Sequence, residues 1–251
     1  MAAARPRSGS GELPIDRDPS RIEAMFGGIA DRYDLMNRLM TAGLDGRWRR
    51  MAAAQARLRP DDEALDVCCG TGDLAFGLAE ACPACAVTGL DFTPAMLARA
   101  SQKAAVREQR GLPVPHAFVQ GDVLALPFDD DRFGAVTVGW GVRNVPDVPR
   151  AFEEMVRVTR PGGRIVCLES TQAPPGWGSR FHEVWMGHVV PKVGRVVTGD
   201  PSAYAYLPAS VAAFPRAGEL AAIMSRAGLA DVRYRRLGFG AVALHVGRVP
   251  V

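Results

Sequence analysis

The chain has 251 residues, 48% of them hydrophobic, which is enough for one large domain with elaborations and a substantial core. Its formal net charge is only +3, so nothing global argues for nucleic acid as a partner. No apolar run approaches the roughly 18 residues of a spanning helix, and Gly, Ser, Pro and acids stand where a signal core would lie, so a cytoplasmic protein is expected.

Residues 1 to 19 are rich in Arg, Ser, Gly and Pro and are expected to lack stable structure. Ser20 followed by Glu23 has the form of a capping box. Ile22, Met25, Phe26, Ile29 and Tyr33 then mark a helical apolar face, which Leu35, Met36, Leu39 and Met40 extend to a break near Gly43. A second helix is predicted from Trp48 to Arg57, before Pro60. These helices form a cap over residues 20–60 and could cover a ligand mouth.

From Leu65 the chain writes L-D-V-C-C-G-T-G-D, then an alanine-rich helical segment, then V-T-G-L-D up to Asp91. A strand at Ala64 to Val67 would run into a tight turn at Gly70 and Gly72. A helix from Leu74 to Glu80 would lead to a second strand, Ala86 to Leu90. Asp91, at the end of that strand, is placed to accept hydrogen bonds from a ribose diol. The ligand should therefore contain a nucleoside. A dinucleotide loop wants G-x-G-x-x-G with a pyrophosphate at the helix start. Here Asp73 stands at that start, where it would repel a pyrophosphate but attract a cationic amine. S-adenosyl-L-methionine, with a ribose, no phosphate and an ammonium group, suits both acids. A nicotinamide enzyme is the rival, and Asp73 could instead simply stabilise the helix start.

Thr93 and Pro94 mark the next helix start, with Thr93 as cap and the helix running to Arg107. Strands are predicted at Ala117 to Gln120, Ala135 to Val138 and Arg164 to Leu168, with a helix at Phe152 to Val158. Such short crossovers imply a mostly parallel sheet covered on both faces, occupying residues 61–170. From 171 to 215, prolines punctuate Phe181, Trp185, Tyr204, Tyr206 and Phe214, as in an inserted lid. A helix from Gly218 to Ala227 and strands near Val232 to Tyr234 and Ala241 to Val246 would complete the core over residues 216–251.

Cys68, Cys69, Cys82, Cys85 and Cys167 are odd in number and make a poor disulfide framework. Cys82-Pro-Ala-Cys85 has the spacing of a redox pair or half a zinc site. With no second such pair and dispersed histidines, small thiols and no metal are expected.

Several ordered motifs carry a resemblance: Y-D-L-M-N at 33–37 with Trp48, Leu126-Pro127-Phe128, Gly141-Val142-Arg143-Asn144-Val145, R-V-T-R-P-G-G at 157–163 with Leu168 and Glu169, the stretch 202–215, and Ala243-Leu244-His245. From about residue 22 onward the chain resembles the C-methyltransferases of menaquinone and ubiquinone biosynthesis, the UbiE/MenG/COQ5 family. The resemblance implies a class I S-adenosylmethionine-dependent methyltransferase. Its fold would be α/β and Rossmann-like, a mostly parallel seven-stranded sheet with helices on both faces. It implies methyl transfer to a ring carbon of a prenylated quinol, here demethylmenaquinol, with ubiquinone and phylloquinone precursors as alternatives. Thr71, Asp91, Asp122 and Val123 are implied as cofactor contacts. Gly70, Gly72 and Asp73 belong to the same loop, Phe92 follows Asp91, and Gly139 falls where the family chain lines the pocket. The chain departs from the family at Thr41 and Asp45, where a Ser and a His are usual, and at Cys68-Cys69, where small residues are common.

Arg143 and Asn144 follow the fourth strand at its carboxyl end, where ligands bind in such sheets. They are the first candidates to face the acceptor, although Arg143 could instead pair with an acid and Asn144 cap a helix. Tyr33 could contact the acceptor hydroxyl or pack in the core. His245 could accept a proton or sit satisfied in the last strand, and Glu169 is a further candidate. Arg47, Trp48, Arg49 and Arg50 suit a membrane interface, so peripheral contact at the inner face of the cell membrane is expected, without an anchor. The apolar lid also suggests a homodimer.

Overall fold

The structure, a computed structural model, describes residues 18–174 and 202–251. The expected tail and the lid aromatics Phe181 and Trp185 lie outside the described residues. In chain order the elements are α1 (Pro19–Met40), α2 (Asp45–Ala56), β1 (Glu63–Val67), α3 (Asp73–Ala81), β2 (Ala86–Asp91), α4 (Pro94–Glu108), β3 (Ala117–Gln120), β4 (Phe133–Gly139), a 3-10 turn (Val142–Asn144), α5 (Val148–Val158), β5 (Thr159–Ser170), α6 (Ser202–Ala212), α7 (Ala217–Arg226), β6 (Ala230–Leu237) and β7 (Val242–Arg248).

The seven strands form one sheet in the order β3-β2-β1-β4-β5-β7-β6. The pairs from β3 through β5 are parallel, while β7 runs antiparallel to both β5 and β6. Strand order reverses between β1 and β4, and a crevice at such a switch point is where ligands bind in open α/β sheets. This is the class I methyltransferase sheet, as expected from the motifs.

Each face of the sheet carries its own core. On one side Leu65, Val67, Phe133 and Ile165 pack with Phe152 and Met155 of α5 and Leu220 and Met224 of α7. On the other, Ala64, Val166 and Leu244 pack with Ala52, Ala53 and Ala56 of α2 and Ala75, Leu78 and Ala79 of α3. Alanine on both helices permits close approach, so α2 is held tightly beside the helix that opens at the glycine loop. Truncating an aromatic such as Phe152 would cost about 3–5 kcal/mol, the usual range for a large core side chain.

Four local expectations are corrected. The cap of α1 is Asp18, not Ser20: its carboxylate accepts the backbone N–H of Ser20 at 2.9 Å and of Arg21 at 3.4 Å. Pro19 has no N–H and fits the first helical position, which places the cap at Asp18, two residues before Ser20. Thr93 stands at the cap of α4 without a side-chain cap bond; its own N–H donates to Asp91 Oδ1 at 2.8 Å. Cys82 and Cys85 are joined as a disulfide, the turn after α3 bringing their Cα atoms to 5.3 Å, within the bonding range. The three other cysteines are free. Strand β5 starts five residues before Arg164: Phe133 pairs with Thr159 and Ala135 with Arg164, so the Pro161-Gly162-Gly163 turn is a bulge inside the strand.

Candidate active site

The carboxyl ends of β1, β2 and β4 open into a cavity that α1 and α2 cover. Gly70, Thr71 and Asp73 of the loop, Asp91 at the end of β2 and Gly139 at the end of β4 line it, together with Tyr33 of α1. Five of the nine residues expected to hold the cofactor thus meet one cavity.

The loop is held by hydrogen bonds to Asp91. Its Oδ2 accepts the N–H of Gly70 and its Oδ1 that of Thr93, both at 2.8 Å. Burial raises the Asp91 carboxyl pKa against these bonds. Gly72 has φ +85°, and a Cβ there would come within 3.0 Å of the Phe118 ring, so the turn admits only glycine. Gly139 is less constrained: its φ is not positive, and an added Cβ would meet the end of the Leu74 side chain at 3.1 Å. Gly70 and Gly139, which line the cavity, present no side chain to it.

Asp73 does face the cavity, and it is engaged by cations of the protein itself. Lys103 Nζ bonds to its carboxylate, and Arg49 Nη1 lies at 3.5 Å. Burial presses the carboxyl pKa upward, but Lys103, Arg49 and Arg38 together hold it below its ordinary value. Lys103 also donates to Asp34 Oδ2 at 2.8 Å and to Thr71 Oγ1 at 3.3 Å, while the Thr71 hydroxyl donates to Asp34. This network ties α1 and α4 to the loop; Lys103 was not singled out in the sequence, and Asp34 only as part of the Y-D-L-M-N motif.

Asp66 is the other residue missed. It ends in the cavity lining, is 1% exposed, and gives Oδ1 to the Thr137 hydroxyl at 2.6 Å while Oδ2 has no partner. Burial raises its pKa to about 7. A buried, unpartnered carboxylate oxygen facing a cavity fits a cationic ligand group. The only signal in the sequence is a lone acid inside the apolar strand L-D-V. With the carboxylates of Asp91, Asp66 and Asp73 and the glycines Gly70 and Gly139 lining one cavity, the residues present fit S-adenosylmethionine.

The remaining cofactor candidates stand beside the cavity without lining it. Gly72 is the cap of α3, and its N–H donates to the Cys69 carbonyl. The Phe92 carbonyl accepts from Gln120 Nε2 at 3.2 Å. Asp122 is exposed and accepts the N–H of Leu124 at 2.9 Å, and Val123 is buried in the core.

On the acceptor side, Arg143 is buried and pairs with Glu169, Nη1 to Oε1 at 2.9 Å, with a second bond to the Trp140 carbonyl. Its Nε is left without a partner. Burial presses the guanidinium pKa down, but Glu169 more than offsets that, and Arg143 stays charged. Asn144 Oδ1 accepts the Tyr206 hydroxyl at 3.0 Å. Tyr33 lines the cavity against Phe26, and burial raises its phenol pKa while Arg143 opposes the shift. Tyr33, Arg143 and Tyr206 are thus electrostatic neighbours.

His245 does not join them. It pairs in register with Cys167 and Tyr234 in the middle of the sheet, is fully buried, and its Nε2 lies 2.8 Å from the Ala217 carbonyl. It is not among the residues lining the cavity.

The sequence profile described as the ubiE/COQ5 methyltransferase family matches residues 15–249. A protein named demethylmenaquinone methyltransferase from Thermus thermophilus is 47% identical over 226 residues, covering 90% of this chain and 100% of its own. One of the same name from Roseiflexus castenholzii is 44% identical, covering 93% and 95%. The solved structure of the YcgJ protein from Bacillus subtilis superposes with a TM-score of 0.55 at 19% identity, covering 80% of this chain and 97% of its own, a likeness of fold. With a full-length profile match and full-length relatives, this chain belongs to the ubiE/COQ5 methyltransferase family.

Proposed function

We infer that this protein methylates a ring carbon of demethylmenaquinol with S-adenosylmethionine, giving menaquinol. The observation that carries the reading is the end-to-end match to relatives named for that reaction, met here by a cavity whose acids suit the cofactor. No helix among the described residues is long and apolar enough to cross a membrane.

Bound S-adenosylmethionine supplies an electrophilic methyl group, which the ring carbon takes while the carbon–sulfur bond breaks. Asp91 would hold the ribose diol, and Gly70 and Thr71 the adjoining loop face. Asp66 would meet the ammonium with its free oxygen, and Asp73 would add negative potential nearby. Phe92, Asp122 and Val123 would border the adenine side. Arg143 would stabilise the phenolate of the quinol, since a guanidinium held charged by Glu169 cannot itself take a proton. A water ordered by Arg143 and Asn144 would accept the ring proton as aromaticity returns. Tyr33 would contact the acceptor hydroxyl. Proximity and alignment supply most of the rate advantage. Within the expected lid, residues 175–201 lie outside the described residues; α6 would flank the acceptor side, a reading supported by the Tyr206 bond to Asn144.

The test incubates purified protein and labelled S-adenosylmethionine with chemically reduced demethylmenaquinol, its oxidised form and a reduced ubiquinone precursor, and locates the methyl by mass spectrometry. Ring-carbon methylation of the reduced demethylmenaquinol, and not of the oxidised form, is expected. Failure with both reduced acceptors despite measured cofactor binding would overturn the reading.

A further inference from the structure

Among the described residues, four of the eight exposed large apolar side chains gather at one end of the molecule. Leu35 (51% exposed) and Leu39 (42%) stand one helical turn apart on the outer face of α1, and Leu44 (41%) occupies the corner before α2. Phe239, 77% exposed, forms the tip of the β6–β7 hairpin. Val242 at the start of β7 pairs with Ser170 at the end of β5, so this tip projects from the carboxyl end of the parallel strands, where the cavity opens. A Cβ on Gly238 would lie 2.9 Å from the Trp48 ring, so the tip rests on α2, one turn from Leu44. Four apolar projections therefore surround the side where α1 covers the cavity.

Cations stand among them. Arg38 on α1 and Arg47 and Arg50 on α2 are exposed, and none forms an ion pair among the described residues. Arg38 is close enough to the mouth to act on Asp73. Apolar side chains beside free guanidinium groups match the boundary between acyl chains and anionic headgroups, where leucine and phenylalanine enter and arginine meets phosphate. A water-soluble acceptor would give no reason to expose leucine at the mouth; a prenylated one lives in the bilayer.

We propose that Leu35, Leu39, Leu44 and Phe239, with Arg38, Arg47 and Arg50, form a docking face for an anionic lipid bilayer, which sets the cavity mouth against the membrane that holds the acceptor. The inference rests on the prenylquinol reading above. The opposite end of the sheet carries another basic group: Arg164 of β5 pairs in register with Arg248 of β7, and Arg57 and Arg233 are close enough to lower the Arg164 pKa together with burial. Among the described residues the exposed large apolar side chains near that group are Tyr234, next to Arg233, and Val251, so it lacks the leucines and phenylalanine that stand at the mouth.

Co-sedimentation of the full chain with vesicles of phosphatidylglycerol and of phosphatidylcholine tests the face, alongside methyl transfer to a short-tailed soluble demethylmenaquinol and to the long-tailed acceptor embedded in the vesicles. Wild-type protein should bind the anionic vesicles and release with salt. Phe239→Glu, or independently Leu39→Glu, should weaken binding by about tenfold and slow transfer to the embedded acceptor similarly. Both variants should keep the wild-type rate on the soluble acceptor. Wild-type protein that methylates the soluble acceptor but binds neither vesicle would overturn the docking face and leave the function standing. Binding that survives both variants but is lost on Arg233→Glu would overturn it as well, by placing the contact at the opposite end. A concentration-dependent dimer abolished by Phe239→Glu would assign the face to a second copy instead. Vesicle binding with no transfer to either reduced acceptor would overturn the function and keep the face.

Discussion

Two groups of buried polar side chains lie in this sheet and differ in one respect. At the carboxyl ends of β1, β2 and β5 stand Asp66, Asp91 and Glu169, with Arg143 beside them, and two of these four residues keep an atom unpartnered: Asp66 Oδ2 and Arg143 Nε. In the middle of β7 stands His245, equally buried, with Nε2 on a helix carbonyl, the Tyr234 ring beside it and Nδ1 also unpartnered, so what separates the two groups is which of them faces the cavity. Residue chemistry alone rates a histidine as the better proton acceptor. Position decides otherwise, because Asp66 and Asp91 line the cavity and His245 does not.

The largest effect is expected at the Arg143–Glu169 pair. Glu169→Ala leaves a buried guanidinium without its counter-charge and should cost about 3–5 kcal/mol of stability, read by urea denaturation. Removing Arg143 as well, as Met, should recover much of it. A loss below about 1 kcal/mol, the range of exposed pairs, would mean that water reaches the pair. Next comes Asp91→Ala, which orphans the N–H groups of Gly70 and Thr93 and removes the ribose acceptor. At about 1–3 kcal/mol per unsatisfied group, S-adenosylmethionine affinity by calorimetry should fall roughly 100-fold or more. An unchanged affinity would move the ribose elsewhere.

Much of this was legible beforehand. The loop glycines and Asp91 were readable because a tight turn after an apolar strand leaves few choices of residue. Strand and helix periods placed every core element within a few residues. Asp66 was invisible because its role depends on Thr137, 71 residues away, taking one oxygen and the cavity taking the other. Lys103, and the role of Asp34 inside the Y-D-L-M-N motif, were not readable for the same reason: a link between α1 and α4 has no local pattern. The Asp18 cap was overlooked because Ser20 and Glu23 imitate a box that Pro19 displaces. The sequence left His245 open between proton acceptor and strand residue because its surroundings come from α7 and β6, not from its neighbours in the chain.

The smallest effects separate the two groups most cleanly, because pH acts on them in opposite directions. Burial raises Asp66 from 3.8 to about 7, so the folded state binds the extra proton across that window. Its contribution to stability is full below the unfolded value and is lost as pH rises towards 7. A cationic ligand group would favour the ionised form, so cofactor affinity should climb with pH over the same window, and Asp66→Asn should flatten that climb. Burial lowers the His245 pKa below 6.5, so the unfolded state binds the extra proton and stability is lost as pH falls through and below 6.5. His245→Gln should remove that acid-side slope and cost about 1 kcal/mol, the net worth of one hydrogen bond. The rate of methyl transfer and its pH profile should not move. A His245→Gln enzyme with normal stability and a collapsed rate would reverse the comparison and return His245 to the chemistry.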